Sequence, residues 1–158
     1  MNDLAERLVK EAIAKGVMIA TAESCTGGLV SGAITSVAGS SAMFDRGFVT
    51  YSNDAKAELL GVSPDLIKRY GAVSTEVAIA MAEGALNHSK ATLSVAITGI
   101  AGPGGGSVEK PVGLVHFATA LKGQDTRPFE KRFGTISRDA IRHGAVHASL
   151  QALLSRLP

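Results

Sequence analysis

The sequence predicts an α/β protein, a three-layer α/β/α sandwich with a mixed sheet of about five strands. Helix-type and strand-type segments alternate through roughly the first hundred residues, which is typical of parallel strands joined by helices. Two strand-type segments then follow each other across a polar turn and predict an antiparallel hairpin. Since 158 residues are enough for one hydrophobic core, we expect residues 1–158 to form a single domain.

The N-terminal part begins with a helix, a strand and a second helix. Residues 3–15 carry apolar side chains at helical spacing, and Gly16 ends that helix. The apolar run at residues 17–20 predicts the first strand. After Ser24 the apolar residues return to helical spacing, and we expect the second helix to end near residues 38–41.

A second strand and two short helices follow. Aromatic and β-branched side chains at residues 44–51 predict the strand. Asn53 is expected to cap a helix over residues 54–60, and residues 64–70 predict another helical segment that starts at a proline. The remaining predicted elements are a helix from Ser74 to about His88, a strand at 91–98, strands at 112–120 and 126–133 joined by a turn at 122–125, and a last helix capped by Ser137.

Composition and charge exclude several classes of function. Sixteen basic and fourteen acidic residues leave a net charge of +2 and are spread along the chain, and there are only five Phe, two Tyr and no Trp, so we expect no nucleic-acid partner. No apolar run approaches the ~20 residues of a membrane span, and the acidic start differs from a signal peptide. We therefore expect a cytoplasmic protein without membrane association. Cys25 is the single cysteine, which excludes an internal disulfide, and its spacing from the four histidines predicts no metal site; we expect no cofactor.

The most informative segment is Thr-Ala-Glu-Ser-Cys-Thr-Gly-Gly at residues 21–28. It lies between a predicted strand and a predicted helix, so the Ser24 hydroxyl stands beside free N–H groups at the positive end of the helix. Such a junction favours a phosphate or a developing oxyanion and suits a nucleophile. The alternative is that Ser24 or Thr26 only caps the helix, while Gly27 and Gly28 allow close packing on the sheet.

Three loops together favour Ser24 as more than a cap. The turn at Ser24, the segment after the second strand and the glycine-rich loop each follow a strand, so parallel strands would bring all three to one edge of the sheet. With Asn53 as cap, Lys56 is the third helical residue, where the helix dipole makes an ammonium lose its proton more easily. A neutral Lys56 could act as general base toward Ser24, with Tyr51 relaying a proton or holding the amine. The alternative is a solvated lysine and a tyrosine buried at a strand end.

The loop at residues 99–107 contains five glycines. Their spacing fits neither a dinucleotide-binding nor a triphosphate-binding motif. The loop is either a flexible surface turn or a wall of a ligand site, where glycine lets a phosphate or carboxamide approach the backbone. Lys110 and Arg138 are candidate phosphate partners or, alternatively, ordinary surface charges.

These segments together resemble the CinA C-terminal domain family, whose enzymatic members are nicotinamide-nucleotide amidases of the PncC type. The resemblance runs in order over nearly the whole chain and rests on residues 21–28, 47–53, Lys56, 71–74, 99–105 and 110–113. It implies a CinA C-terminal-like fold and hydrolysis of the carboxamide of nicotinamide mononucleotide (NMN) to nicotinic acid mononucleotide and ammonia, as part of pyridine nucleotide recycling. The implied reaction requires no metal.

The resemblance also implies roles for individual residues. Carried over by position, Ser24 is the nucleophile, Lys56 its base and Tyr51 the partner that completes the proton path. The implied partners are a small pyridine nucleotide and further copies of the chain in a homo-oligomer. Many relatives carry an N-terminal domain similar to molybdopterin-binding proteins, and a chain that starts at its first helix fits a stand-alone amidase. The resemblance implies that the backbone at Gly27 and Gly28, with the glycine-rich loop, holds the oxyanion or the 5′-phosphate. We expect the substrate-binding residues to be Thr26, Gly27, Gly28, Asn53, Gly99, Gly102, Gly104, Gly105 and Arg138.

Two alternatives stay open. The domain could be a non-catalytic nucleotide-binding or regulatory module, since the family includes competence-related and damage-related proteins; a ligand would then stabilise the fold without product formation. Cys25 could instead supply a thiolate nucleophile, because a helix N-terminus lowers the pKa of a thiol. Against this, no histidine lies near the three loops in sequence, and a lone cysteine is more often a small buried hydrophobe.

Overall fold

The computed structural model describes residues 2–158 and contains, within them, six α-helices, one short 3₁₀ helix and five strands. The helices are α1 (Asn2–Lys15), α2 (Leu29–Thr35), α3 (Asn53–Leu60), α4 (Pro64–Tyr70), α5 (Thr75–Asn87) and α6 (Arg138–Arg156), with the 3₁₀ helix at Ser40–Ala42. The strands are β1 (Ile19–Glu23), β2 (Phe44–Val49), β3 (Leu93–Gly99), β4 (Leu114–Leu121) and β5 (Arg127–Arg132).

The five strands form one mixed sheet in the order β2-β1-β3-β4-β5. Strands β1, β2 and β3 run parallel, whereas β4 is antiparallel to β3 and β5 is antiparallel to β4. The predicted mixed sheet and its hairpin are therefore confirmed. Because β1 to β3 are parallel, the loops after these three strands all leave the sheet at the same edge.

Helices cover both faces of the sheet, which confirms the predicted three layers. On one face, α1, α2 and α6 pack on large apolar strand residues such as Ile19, Val95 and Phe117. On the other face, α3, α4 and α5 pack on small strand residues, of which Ala96 and Ala118 are examples. Short alanine side chains on this second face leave room for α5 to approach the sheet closely.

The region around Ser24 differs from the prediction in its element boundaries. Strand β1 continues to Glu23 instead of ending at residue 20, and α2 begins only at Leu29 and ends at Thr35 instead of near residues 38–41. The helix starts late because Gly27 and Gly28 have φ angles of +57° and +107°, which a right-handed helix does not allow. The buried Glu23 carboxylate then accepts N–H groups of the first helical turn. A tight turn, and not the helix itself, therefore follows the strand directly.

The caps of the later helices agree with the prediction except at α3. The hydroxyls of Ser74 and Ser137 accept hydrogen bonds from backbone N–H groups at the starts of α5 and α6. At α3 the prediction of Asn53 as cap is wrong, because the hydroxyl of Ser52 accepts the N–H of Ala55 at 3.0 Å. Asn53 is thus the first helical residue and Lys56 the fourth, one position beyond the prediction.

No helix within residues 2–158 is both long enough and apolar enough to cross a membrane.

Candidate active site

The three loops that follow the parallel strands surround one cleft of about 290 Å³. Its walls include Ser24 from the turn after β1, Asn53 and Lys56 from α3, the start of the glycine-rich loop, and Arg138 from α6. The loops that the sequence places at one edge of the sheet are therefore together in the structure. The cleft lies at the carboxyl ends of the parallel strands, and open α/β sheets bind their ligands at this edge.

Backbone hydrogen bonds extend the sheet by one residue and hold Ser24 in place. The N–H of Ser24 donates to the carbonyl of Ile97 at 2.9 Å, and the N–H of Thr50 donates to the carbonyl of Glu23 at 2.8 Å. Ser24 is only 9% exposed, and its side chain borders the cleft. The nucleophile candidate thus sits on rigid backbone, with little freedom to move away from its partners.

Lys56 is buried, with 1% of its surface exposed, and its amine points to the end of strand β2. The Nζ atom lies 3.0 Å from Ser24 Oγ, 3.0 Å from the carbonyl oxygen of Thr50 and 3.3 Å from that of Tyr51. A lysine near a helix start leans back past the first turn, which is how α3 delivers this amine to the strand end. The contact between the Ser24 oxygen and the Lys56 amine that the sequence predicts is present.

Burial lowers the pKa of Lys56 below its ordinary value of 10.5. The direction agrees with the prediction, and the cause is the loss of solvation on burial. No carboxylate within residues 2–158 forms a salt bridge with this amine. When the amine is neutral, its two N–H bonds can stay on the Thr50 and Tyr51 carbonyls while its lone pair faces the Ser24 hydroxyl. This arrangement can remove a proton from Ser24.

The Tyr51 side chain does not take the predicted place beside the amine. The residue is 62% exposed, and its phenol oxygen accepts a hydrogen bond from Arg138 Nη2 at 3.2 Å. Tyr51 meets Lys56 only through its backbone carbonyl. The reason is that β2 ends at Val49, so strand alternation no longer sets the direction of the Tyr51 side chain. The phenol is therefore part of the cleft's rim.

Arg138 joins the two sides of that rim. Besides Tyr51, its guanidinium donates to the carbonyl of Gly102 at 2.8 Å and borders the cleft. Gly99, Gly102, Gly104 and Gly105 line the cleft as well, so the glycine-rich loop is a wall of the site. Lys110, the other candidate phosphate partner, donates instead to the carbonyl of Tyr70 at 2.7 Å.

Glu23 is a site residue that the sequence reasoning missed. Its fully buried carboxylate accepts the N–H groups of Gly28, Val30 and Ser31 at 3.2, 2.9 and 3.0 Å, and the Ser31 hydroxyl at 2.8 Å. The N–H of Gly27 donates to the carbonyl of Ser24 at 3.0 Å. Both glycine N–H groups therefore have partners within the protein, and neither is free to contact a substrate in this structure.

Two other N–H groups in the same turn have no oxygen acceptor within residues 2–158. These belong to Cys25 and Thr26, directly after Ser24. The Cys25 N–H lies beside its own sulfur. Successive N–H groups in a turn attract an anion, and here they stand next to the nucleophile candidate. Thr26 is fully buried, backbone included, and does not line the cleft, so the structure does not bring it to the position that the expected substrate contact needs.

Arg142 is a second residue that the sequence reasoning missed. Its Nε donates to the carbonyl of Cys25 at 3.0 Å and its Nη2 to that of Thr26 at 3.3 Å. Its spacing could have indicated a role near the site, because Arg142 lies four residues after Arg138 and therefore on the same face of α6. Arg142 thus ties α6 to the turn that carries Ser24.

The charges around the cleft favour an anionic ligand. Of the described residues that line it, Arg138 carries a positive charge and none is acidic. Burial raises the pKa of the neighbouring Cys25 thiol to about 11, so almost no thiolate exists at neutral pH. Within residues 2–158 there is no cluster of three or more His, Cys, Asp or Glu that could bind a metal ion.

Comparison with known proteins gives consistent matches over nearly the whole chain. The family model for the CinA C-terminal domain matches residues 1–157. The nicotinamide-nucleotide amidohydrolase PncC of Escherichia coli K12 is 50% identical over 154 residues, 97% of this chain and 92% of that protein. The PncC of Enterobacter agglomerans is 53% identical over 141 residues, 89% of this chain and 85% of that protein. The crystal structure of the competence/damage inducible protein CihA from Agrobacterium tumefaciens is 52% identical with a TM-score of 0.96, covering 98% of this chain and 93% of that chain.

Proposed function

This chain belongs to the CinA C-terminal domain family, and from that membership together with the Ser24–Lys56 contact we propose that it is a nicotinamide-nucleotide amidohydrolase. The reaction hydrolyses the carboxamide of NMN to nicotinic acid mononucleotide and ammonia. The observation that carries the proposal is the distance of 3.0 Å between Lys56 Nζ and Ser24 Oγ, in a cleft without acidic lining residues among those described. In this contact the buried Ser24 hydroxyl is the nucleophile and the buried Lys56 amine is its general base.

The first half of the reaction forms an acyl-enzyme. Neutral Lys56 takes the proton of the Ser24 hydroxyl as Oγ attacks the carboxamide carbon, which gives a tetrahedral intermediate. Lys56 then passes that proton to the amide nitrogen, the C–N bond breaks and ammonia leaves. The Thr50 and Tyr51 carbonyls hold two N–H bonds of Lys56 throughout, so the amine keeps its direction toward the reacting atoms.

The second half repeats the same chemistry with water. Lys56 removes a proton from a water molecule that attacks the acyl carbon, and the proton returns to Ser24 Oγ when the ester bond breaks. Each intermediate carries a negative oxygen, for which the N–H group of Cys25 is the proposed donor. Its position directly after the nucleophile, at a residue that lines the cleft, supports this assignment.

The nucleotide part of the substrate fits the other wall of the cleft. Arg138 is the proposed phosphate partner, since its planar guanidinium suits a phosphate and Tyr51 and Gly102 already hold it in place. Asn53 and the glycine-rich loop contribute polar and backbone contacts around it. In this assignment Tyr51 positions Arg138 with its phenol and Lys56 with its carbonyl, and it does not relay a proton.

Three further statements belong to the proposal. We treat residues 1–158 as one amidase domain that acts in the cytoplasm, because a phosphorylated pyridine nucleotide is charged and retained inside the cell. We also expect a homo-oligomer, as the resemblance to the family implies. Light scattering that gives a monomeric mass would refute the oligomer and leave the chemistry untouched.

Product analysis tests the proposed activity. The purified protein is incubated with NMN, released ammonia is measured with a coupled dehydrogenase, and the nucleotide product is separated by chromatography. We expect ammonia and nicotinic acid mononucleotide in equal amounts. Thermal stabilisation by NMN without either product would instead favour the non-catalytic nucleotide-binding module.

A further inference from the structure

Among the described residues that line the cleft, Lys56 is the one side chain that can act as a base at neutral pH. None of the others is a histidine, an aspartate or a glutamate. Burial raises the pKa of the Cys25 thiol to about 11, so this group stays protonated. The Tyr51 phenol oxygen already accepts a hydrogen bond from Arg138. The second half of the proposed reaction therefore depends on the same amine as the first half.

The water that attacks in the second half has few other partners in the cleft. Two N–H bonds of Lys56 stay on the Thr50 and Tyr51 carbonyls, so only the lone pair of the amine is directed at the reacting atoms. The Thr98 hydroxyl, which also lines the cleft, donates to the carbonyl of Ala72 at 2.8 Å. These contacts select the second nucleophile by its small size and by a proton that it can give to Lys56.

A small uncharged amine meets the same requirements as water. Ammonia leaves from the place beside Lys56 in the first half, so an amine nitrogen fits where the second nucleophile attacks. Hydroxylamine is uncharged at neutral pH, whereas a simple alkylamine has a pKa near the ~10.4 of lysine, and about one molecule in 10³ is uncharged at pH 7.5. Because Lys56 is the single base, a protonated amine finds no group that removes its first proton.

We propose that the acyl-enzyme also transfers its acyl group to small uncharged amines, so that NMN and hydroxylamine together yield the hydroxamate of nicotinic acid mononucleotide. The inference rests on the proposed function, because it requires the ester of Ser24. The hydroxylamine nitrogen attacks the ester carbon, and Lys56 takes one proton from that nitrogen. The bond from the carbon to Ser24 Oγ then breaks, and the proton passes to Oγ. A C–N bond replaces a C–O bond, nothing is oxidised or reduced, and the free enzyme returns.

The test incubates the protein with NMN and hydroxylamine near pH 7.5 and separates the nucleotide products by chromatography. The methyl ester of nicotinic acid mononucleotide is a second substrate, since it forms the same acyl-enzyme with a different leaving group. Three controls are measured beside these samples: Ser24→Ala, methylamine in place of hydroxylamine, and a sample without protein.

We expect the ratio of hydroxamate to acid to rise in proportion to the hydroxylamine concentration and to agree within about twofold between NMN and the ester, because both pass through one intermediate. Ser24→Ala should lose both products together, by at least about 10⁴-fold. Methylamine should give at least about tenfold less amide than hydroxylamine gives hydroxamate.

Acid as the sole product at every hydroxylamine concentration would overturn the inference and leave the hydrolysis in place. Different ratios from the two substrates, hydroxamate formation by Ser24→Ala, or equal yields from methylamine and hydroxylamine would also overturn it. The comparison of the two substrates needs no variant and therefore holds even if Ser24→Ala fails to fold. Failure of the wild type to consume NMN would instead refute the proposed function.

Discussion

Replacing Lys56 by methionine should separate its catalytic role from any contribution to stability. Methionine keeps most of the buried side-chain volume but removes the amine and its three contacts, with Ser24 Oγ and the carbonyls of Thr50 and Tyr51. The two carbonyls lose a donor, at about 1 kcal/mol each. The fold no longer has to bury an amine, and the lowered pKa of Lys56 shows that this burial is unfavourable for the charged form. We therefore expect the free energy of unfolding to change by no more than about 2 kcal/mol.

The effect of Lys56→Met on turnover should be much larger. A positioned general base contributes about 10²–10⁴ to the rate, equivalent to roughly 3–5 kcal/mol of transition-state stabilisation. Ser24 would keep its place on the sheet, because its N–H still donates to the carbonyl of Ile97. The variant should therefore fold, bind NMN and release ammonia at least a hundredfold more slowly.

The two quantities are measured on the same preparation. Urea unfolding followed by circular dichroism gives stability, and coupled ammonia release gives kcat. The reasoning fails if Lys56→Met folds normally and keeps kcat within tenfold of the wild type. It also fails if the loss of activity is matched by unfolding at the assay temperature.

Three more outcomes follow from the site. Because Lys56 must be neutral to accept a proton, kcat/KM should rise with pH to a plateau, with a midpoint below 10.5. The free energy of unfolding should also rise with pH between that midpoint and 10.5, because over this range the unfolded chain binds a proton that the folded chain does not. A flat kcat/KM profile over pH 6–10 would contradict this. Iodoacetamide at neutral pH should leave turnover unchanged, since burial raises the pKa of the Cys25 thiol to about 11; inactivation with one alkylated Cys25 would revive the thiolate mechanism. Arg138→Ala should raise KM for NMN by about 10- to 100-fold, the loss expected for a charged hydrogen bond. Turnover of nicotinamide riboside, which lacks the phosphate, should stay the same. Equal losses on both substrates would show that Arg138 does not bind the phosphate.

The sequence was sufficient to predict the layers, the parallel strands and the meeting of Ser24 with Lys56. Alternation of apolar patterns determines element types, and the rule that parallel strands end at one edge brings distant loops together. Residues 32 positions apart could therefore be placed in contact without knowledge of any side-chain conformation.

Local side-chain choices explain the differences. Ser52 and Asn53 are both good caps, and which of them caps depends on backbone angles that a sequence does not reveal. The direction of the Tyr51 side chain was not predictable because the residue lies beyond the last strand position. An error of one position at the cap moved Lys56 along the helix but did not change what its long side chain reaches.

Glu23 and Arg142 were missed for a different reason. The N–H groups that donate to the Glu23 carboxylate lie five to eight residues after it, which is not the spacing of a standard capping box. Arg142 lies 117 residues from the carbonyl that it holds, and a bond from a side chain to backbone leaves no pattern in the sequence. Both residues shape the turn around Ser24 without carrying a motif of their own.

Ammonia release from NMN by Ser24→Ala, at folded content matched to the wild type by circular dichroism, tests the nucleophile directly. The alanine variant keeps the backbone of the turn and the buried Lys56 but has no oxygen to attack the carboxamide. We predict that kcat falls by at least about 10⁴-fold, as expected when a nucleophile is removed and only its surroundings remain. Turnover by Ser24→Ala within tenfold of the wild type would contradict the account.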